Sequence, residues 1–309
     1  MRIRTLGLFL LVLALIATAC GDSDDDTTEA ADNETTTSAE GADTTVPADS
    51  RNTTPPGVVG TDACPSLTLK DEGVLTVATG EPVFSPWMED DNPGSGQGFE
   101  SELVYEIAGK LGVSNVVWVR TGFDEAISAG AKDYDFNIQQ YSITADREKV
   151  VDFSDPYYEV QQAIIGQADG PLADVTTIAD LTDAHLGAAV GSTSLEYIDA
   201  IIAPTTDAMV YDDNAAAAAA FAAGQIDGLV VDLPTAYYLT SAEIPDSTII
   251  GTLPEVEDAP EELGMLFEKG SELIPCVNAA LASLNDEGRL EILQNKWLAQ
   301  DGAVRKITQ

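Results

Sequence analysis

The chain has little positive charge, one histidine and few cysteines. It has 14 Lys and Arg residues against 53 Asp and Glu residues, which gives a formal net charge of −39. Nucleic acids and anionic lipid headgroups both attract clustered Lys and Arg, so the composition disfavours both as partners. With His185 as the only histidine and no Ser-His-Asp arrangement, acyl-transfer and hydrolytic chemistry are disfavoured as well. We expect no cofactor and no metal site.

Long apolar runs are also scarce, and the one that stands out is at the N-terminus. Arg2 and Arg4 precede an apolar run over 6–16, which ends in Ala-Thr-Ala-Cys at 17–20. This order is typical of a secretory signal peptide, and the run is too short to span a membrane. Because it closes on a cysteine, segment 1–19 resembles a bacterial lipoprotein signal, in which Cys20 becomes the N-terminus and carries lipid such as palmitate. An ordinary secretory signal with an incidental Cys20 is the alternative.

Segment 20–61 is composed mainly of Asp, Glu, Thr, Ala, Ser, Gly and Pro. Such a composition buries too little apolar surface to offset the entropy of ordering, so we predict a disordered tether. A coil of ~40 residues has a root-mean-square reach of roughly 35 Å, which would hold a folded domain away from a membrane.

Two cysteines remain if Cys20 is lipidated. In an oxidising compartment, Cys64 and Cys276 are predicted to form a disulfide. Two unpaired buried thiols are the alternative.

Beyond Thr61 the sequence alternates between strand and helix patterns, in two series. This alternation predicts α/β lobes with parallel sheets, and the two series suggest two lobes. The predicted strands are 74–79, 116–119, 136–140, 186–190, 208–211, 228–231 and 263–267. The predicted helices are 99–111, 123–129, one beginning near 193, one beginning near 213, and two closing helices within 272–297.

Ligands of open α/β sheets bind beyond the carboxyl ends of the strands. At those positions the sequence has polar and aromatic turns over 80–87 and 141–147, a Ser192-Thr193 pair at a helix start, and Asp232. The helix start offers backbone N–H groups and hydroxyls to an anion.

Several motifs in this order resemble one family, the polar amino-acid solute-binding proteins of ABC importers (family 3 extracellular solute-binding proteins). The resemblance covers 67–297. Its most specific part is Ser142-Ile143-Thr144 with Arg147, followed by Asp-Phe-Ser at 152–154 and Pro-Tyr-Tyr at 156–158. Gly-Phe-Glu at 98–100, Gly-Ser-Thr at 191–193, Gly-Gln-Ile-Asp at 224–227 and Asn-Lys-Trp at 295–297 add to it.

The resemblance implies a two-lobed periplasmic-binding-protein-like fold of type II, with the lobes joined by two crossing segments. Lobe one would comprise 67–161 and 264–309, and lobe two 162–263. It also implies a function: extracytoplasmic binding of a polar amino acid by closure of the lobes, and delivery to an ABC permease and ATPase.

The resemblance further implies which residues hold the ligand backbone. Arg147, Ser142 and Thr193 match the donors that bind the α-carboxylate, and Asp232 matches the acid that holds the α-ammonium. A planar guanidinium suits a carboxylate, and a zwitterion requires charges of both signs.

The side chain of the ligand would meet a different set of residues. Phe84 matches an aromatic that packs on the ligand, and Glu81 matches an acid that contacts basic side chains or glutamine. Gln140, with Gln139, adds polar groups where many members have small residues. Because a carboxylate repels a second carboxylate, this pocket favours arginine, lysine, histidine, ornithine or glutamine.

Several of these residues also have an alternative role, and Thr193 with Ser192 could be only a helix N-cap pair. Arg147 could be a solvated helix residue, Asp232 a helix cap, and Phe84 a core aromatic. Glu81 could face water and select nothing. For the whole protein, the alternative is a dehydratase-like enzyme on the same fold, acting on an amino-acid-like metabolite.

Overall fold

The computed structural model describes Cys64 and residues 66–256, 260–299 and 303–309. The predicted signal peptide, Cys20 and the tether lie outside these residues. No helix within the described ranges has the length and apolar character needed to cross a membrane.

Strands and helices alternate through most of the described chain. The strands are β1 (Val74–Thr79), β2 (Asn115–Arg120), β3 (Phe136–Asn137), β4 (Val151–Phe153), β5 (Tyr158–Val160), β6 (Gln162–Gln167), β7 (Leu186–Ala189), β8 (Met209–Tyr211), β9 (Gly228–Asp232), β10 (Ser247–Thr252), β11 (Glu261–Leu263) and β12 (Leu266–Glu268). The α-helices are α1 (Phe99–Leu111), α2 (Phe123–Ile127), α3 (Thr193–Tyr197), α4 (Asn214–Ala222), α5 (Leu233–Tyr238), α6 (Ile274–Asp286) and α7 (Arg289–Trp297).

The first lobe is built on a five-stranded sheet in the order β2-β1-β3-β12-β4. Strand β1 is parallel to β2 and β3, whereas β12 is antiparallel to β3 and β4. Helices α1, α6 and α7 pack together on this lobe and share one apolar core with the sheet. Helix α1 ends as the sequence predicts, because Gly112 adopts the left-handed conformation (φ 72°) and its N–H bonds back to Ala108.

The second lobe has a sheet in the order β10-β6-β9-β7-β8. Strand β7 is parallel to β8 and β9, and β6 is antiparallel to β9 and β10. Apolar residues of β6 and β9 alternate between two clusters, so this sheet is covered on both faces.

Strands β5 and β11 pair antiparallel, outside both large sheets, where the chain passes between the lobes. The predicted boundary 263/264 lies directly after β11, and 161/162 lies one residue after β5. The single strand predicted over 263–267 is therefore two short strands in two different sheets. Gly264 lies between them, where a Cβ atom would be 2.9 Å from the Ile143 side chain.

The C-terminal tail departs from the predicted lobe assignment. Residues 305–308 do not return to the first lobe but pair with the second: Thr252 donates its N–H to Arg305 O (2.8 Å) and accepts that of Ile307 (2.9 Å). Ile307 is 3% exposed within the apolar core of that lobe. The tail is too short for its apolar periodicity to predict that it joins the second lobe.

Cys64 and Cys276 form a disulfide, the pairing predicted by the cysteine count. Their Cα atoms are 4.5 Å apart across a separation of 212 residues. The bond joins the segment that precedes β1 to the first turn of α6.

Candidate functional site

A cleft of about 340 Å³ lies between the lobes, at the low end of the volumes of small-molecule sites. Turns that follow β1, β2 and β3 line it from the first lobe, and turns that follow β7 and β8, with the end of β9, line it from the second. The lining therefore lies beyond the carboxyl ends of parallel strands, where ligands of α/β sheets bind. It includes six residues predicted from the sequence: Glu81, Phe84, Gln140, Ser142, Thr193 and Asp232.

Ser142 of the first lobe and Thr193 of the second meet across the cleft, with their hydroxyl oxygens 3.3 Å apart. Both hydroxyls contact one carboxylate oxygen of Glu261 in β11; the Thr193 contact is 2.5 Å long. The other oxygen of Glu261 accepts from the side-chain amide of Gln162 at 2.8 Å. A carboxylate thus lies where donors from both lobes converge.

Arg147 lies behind this lining rather than on it. Its Nη1 donates to Ser142 O (2.8 Å) and its Nη2 to Gly191 O (2.9 Å), so the guanidinium joins the two lobes. The guanidinium carbon lies 5.6 Å from the centroid of the Phe123 ring. Burial lowers the pKa of Arg147, while the charges of Glu196 and Glu261 raise it. At 5% exposure, Arg147 is not a solvated helix residue, and its direct contact with a ligand carboxylate stays a prediction.

Asp232 ends β9 and caps α5, accepting the N–H of Thr235 at 2.9 Å. The cap is the alternative role considered above, but the residue also lines the cleft. Burial raises its pKa to about 6, with a contribution from the charge of Glu261, against the effect of the Thr235 hydrogen bonds. Asp232 is therefore ionised at neutral pH and poorly solvated, which suits an ammonium partner.

Gln140 turns its side chain toward the protein. Its amide nitrogen donates to Glu100 Oε2 (2.5 Å) and its backbone N–H to Glu100 Oε1 (2.9 Å). Tyr157 donates to the same Oε1 at 2.5 Å. These bonds hold Gln140 at φ 49°, so strand β3 ends before the predicted 136–140 run is complete. Burial raises the pKa of Glu100 to about 7 despite the three hydrogen bonds.

Glu81 and Phe84 lie on the turn that follows β1. Glu81 is exposed, and Phe84 is half-buried with its ring 6.1 Å from that of Tyr238 in the second lobe. Nearby, Trp87 donates its indole N–H to Thr235 across the lobes at 3.0 Å.

Several lining residues were not selected from the sequence. Phe123 and Asp124 begin α2, two residues after the end of β2, so the strand-end rule that found Asp232 also points to them. Gln162 and Glu261 lie on or beside the crossing strands, where no periodicity or motif indicates a site.

Charge on the lining is of one sign. Among the described residues that form the cleft, none is Lys, Arg or His. The lining carboxylates are those of Glu81, Asp124, Asp212, Asp213, Asp232 and Glu261. Such a cleft concentrates cations and repels anions.

The sequence profile of the family described as "Bacterial extracellular solute-binding proteins, family 3" matches residues 75–300. The L-cystine-binding protein TcyJ of Escherichia coli is 28% identical over 235 residues, which are 75% of this chain and 85% of that protein. An ancestral arginine-binding protein bound to glutamine has a TM-score of 0.63 and 29% identity, and covers 74% of this chain and 100% of that one. The ancestral amino acid-binding protein AncCDT-1, a precursor of cyclohexadienyl dehydratase, has a TM-score of 0.62 and 29% identity, covering 74% and 96%.

The fold is the two-lobed type II fold of the periplasmic amino-acid-binding proteins, as the resemblance implied. The profile match extends over most of the chain and includes the strands of both five-stranded sheets, except the first residue of β1. The chain belongs to the family 3 bacterial extracellular solute-binding proteins.

Proposed function

We propose that this protein binds a polar amino acid between its lobes and delivers it to the permease and ATPase of an ABC importer. The observation that supports this most directly is the convergence of Ser142, Thr193 and Asp232 on one cleft from different lobes. A ligand that contacts both lobes favours the closed state over the open one.

The two ends of the ligand backbone would meet opposite chemistry. Ser142 and Thr193 offer hydroxyl donors to the α-carboxylate, with the positive charge of Arg147 behind them. Asp232 offers a poorly solvated carboxylate to the α-ammonium.

The cleft favours ligands with a cationic or amide side chain. Glu81 lies at its exposed side, Phe84 offers an apolar face, and the lining has six carboxylates. Arginine, lysine, ornithine, histidine and glutamine fit this chemistry better than glutamate or aliphatic residues. Among the solved structures, an ancestral arginine-binding protein is bound to glutamine.

Cys20 would anchor the protein in the cell membrane through its lipid, and the tether would hold the folded domain away from the membrane surface. This arrangement places the binding cleft outside the cytoplasm, beside the permease. It rests on the signal pattern and on membership of an extracellular family.

A thermal-shift screen of the folded domain against the common amino acids tests binding, because a ligand of the native state raises the melting temperature. Calorimetry on the hits then ranks affinities. A raised melting temperature with arginine, lysine, ornithine, histidine or glutamine is expected; a response only to glutamate or leucine would contradict the preference.

The relative that preceded a dehydratase makes an enzyme the second candidate. Incubation with each hit, followed by mass spectrometry, separates the two, since a binding protein returns its ligand unchanged. Loss of water from a hit would establish the enzyme instead.

A further inference from the structure

Glu261 lies in the cleft where donors of both lobes meet. It belongs to crossing strand β11, pairs with Val160 and is half-buried. Its Oε1 accepts from Ser142 and Thr193, and its Oε2 from Gln162. Each hydroxyl has a single proton to donate. The two hydroxyl protons that would bind a ligand carboxylate are therefore directed to the carboxylate of Glu261.

The surrounding hydrogen bonds hold these donors in that arrangement. Ser194 donates to Gln162 Oε1 at 2.6 Å, which turns the amide nitrogen of Gln162 toward Glu261. The same nitrogen lies 3.3 Å from Thr193 Oγ1, whose lone pair accepts from it while its proton goes to Glu261. Glu261 thus belongs to a connected network and is not a freely rotating side chain.

We propose that Glu261 determines specificity: its carboxylate competes with the ligand carboxylate for Ser142, Thr193 and Gln162. This inference rests on the proposed function. A ligand carboxylate must displace that of Glu261, which then stays in the cleft as an additional negative charge.

The net charge of the ligand then decides how strongly the displaced Glu261 opposes binding. None of the described lining residues is a cation that a displaced Glu261 could pair with. Arg147 lies behind the lining, where its guanidinium is bonded to the carbonyls of Ser142 and Gly191, and the charge of Glu261 also acts on Asp232. A ligand with a second positive group offsets the displaced charge, whereas a neutral zwitterion does not. Glu261 therefore favours net-positive amino acids over neutral ones of the same shape.

Three ligands of nearly the same shape isolate this effect. Arginine carries the carboxylate and a cationic side chain, citrulline replaces the cation with a neutral urea group, and agmatine lacks the carboxylate. Their dissociation constants are measured by calorimetry for the wild type, for Glu261→Gln and for Glu261→Ala. The alanine variant tests whether an amide at this position still competes.

Glu262→Gln is the matched control. Glu262 is the next residue on the same strand and is exposed, and it does not line the cleft. Glu262→Gln removes one charge from the same strand without changing the cleft, so the affinities for all three ligands should equal those of the wild type. Melting temperatures of the four proteins show whether each is folded.

The expected result is a change in two ratios. In both Glu261 variants, the affinity of citrulline relative to that of arginine should be at least about tenfold higher than in the wild type. The affinity of arginine relative to that of agmatine should also be at least about tenfold higher than in the wild type. Unchanged ratios, or equal weakening of all three ligands, would overturn the inference and make Glu261 a structural residue of the hinge. If arginine, citrulline and the common amino acids bind to none of the four folded proteins, the proposed function itself fails, and the inference with it.

Discussion

At the scale of single residues, burial and hydrogen bonding change what the acidic side chains of this protein can do. Asp232 and Glu100 both have a raised pKa, to about 6 and about 7. Asp232 lines the cleft, whereas Glu100 lies beneath it in contact with Gln140 and Tyr157. Protonation of Asp232 should therefore affect binding, whereas protonation of Glu100 should affect only stability, to which both shifts contribute.

Amino-acid binding should weaken as the pH falls through about 6. Protonation of Asp232 removes the negative charge that faces the ligand ammonium, so the affinity at pH 5 should be about tenfold lower than at pH 7.5. Calorimetry across this range measures the change. Asp232→Asn keeps a side chain that caps helices well, and should bind weakly at every pH. If Asp232→Asn keeps the wild-type pH profile, another group is responsible.

Glu100 should make the protein less stable as the pH rises. Its folded pKa of about 7 lies above the ordinary value of 4.5, so the folded state holds a proton that the unfolded state releases between these values. This stabilisation is complete below pH 4.5 and is lost through about pH 7, with a magnitude of about 3 kcal/mol. Urea unfolding at pH 5 and pH 8 measures the total change, to which Asp232 also contributes because its own pKa is raised.

Glu100→Gln is the matched variant for that measurement. Its amide can still accept from Tyr157 and pair with the side chain of Gln140, but it does not titrate. The difference in unfolding free energy between pH 5 and pH 8 should therefore be smaller than in the wild type. Equal differences in the two proteins would show that Glu100 is ionised in the folded state at pH 5.

Arg147→Ala should weaken binding strongly. Removing a buried charge that joins two lobes costs roughly 2–5 kcal/mol, or about 30- to several-thousand-fold in affinity. Arg147→Lys keeps the charge but cannot bond to the carbonyls of Ser142 and Gly191 in the same geometry, so it should recover part of the affinity at most. Calorimetry with the tightest ligand decides, and wild-type affinity in Arg147→Ala would refute the assignment.

At the scale of helices and strands, the sequence predicts most of the architecture because the buried runs are long and regular. Strand β1 and helix α1 have the predicted bounds, since each has its own apolar pattern and α1 has a glycine stop. Strand β3 is shorter than predicted because Glu100, distant in sequence, fixes the conformation of Gln140. Such contacts depend on the tertiary structure, and local patterns do not contain them.

The same limit applies to the cleft. Residues at strand ends, such as Asp232 and Phe123, follow from the general geometry of α/β sheets. Glu261 does not, because its position depends on how β11 crosses between the lobes and on donors from three separate segments. Its neighbour Glu262 has the same side chain and no contact with the cleft, and the sequence does not distinguish the two.

The disulfide is the cross-link between the first described segment and α6. Because it closes a loop of 212 residues, reduction or Cys276→Ser should lower the unfolding free energy by up to about 5 kcal/mol in the chain-entropy model. Urea unfolding with and without a reductant measures this. Cys276→Ser should itself be insensitive to reductant, and a reductant that leaves the wild-type midpoint unchanged would contradict the expectation.

At the scale of the whole molecule, the two lobes contact each other at several points besides the crossing strands. Arg147 reaches Gly191, Trp87 reaches Thr235, and the tail at 305–308 adds to the second sheet after α7 in the first lobe. The polar contacts cluster around the cleft, so a ligand that enters there also changes how the lobes hold together. This connection is what couples binding to closure in the proposed function.

The last prediction concerns the chain as a membrane-attached whole. If Cys20 becomes the lipidated N-terminus, Cys20→Ala should release the protein from the membrane fraction or leave it with an uncleaved signal, because a single acyl-bearing residue is then lost. Fractionation with mass spectrometry of the N-terminus distinguishes these results. A double variant, Cys64→Ala with Cys276→Ala, serves as the control: it removes the other cysteines and should stay with the membrane. Cys20→Ala that is processed and still membrane-held would show that the anchor lies elsewhere in the chain.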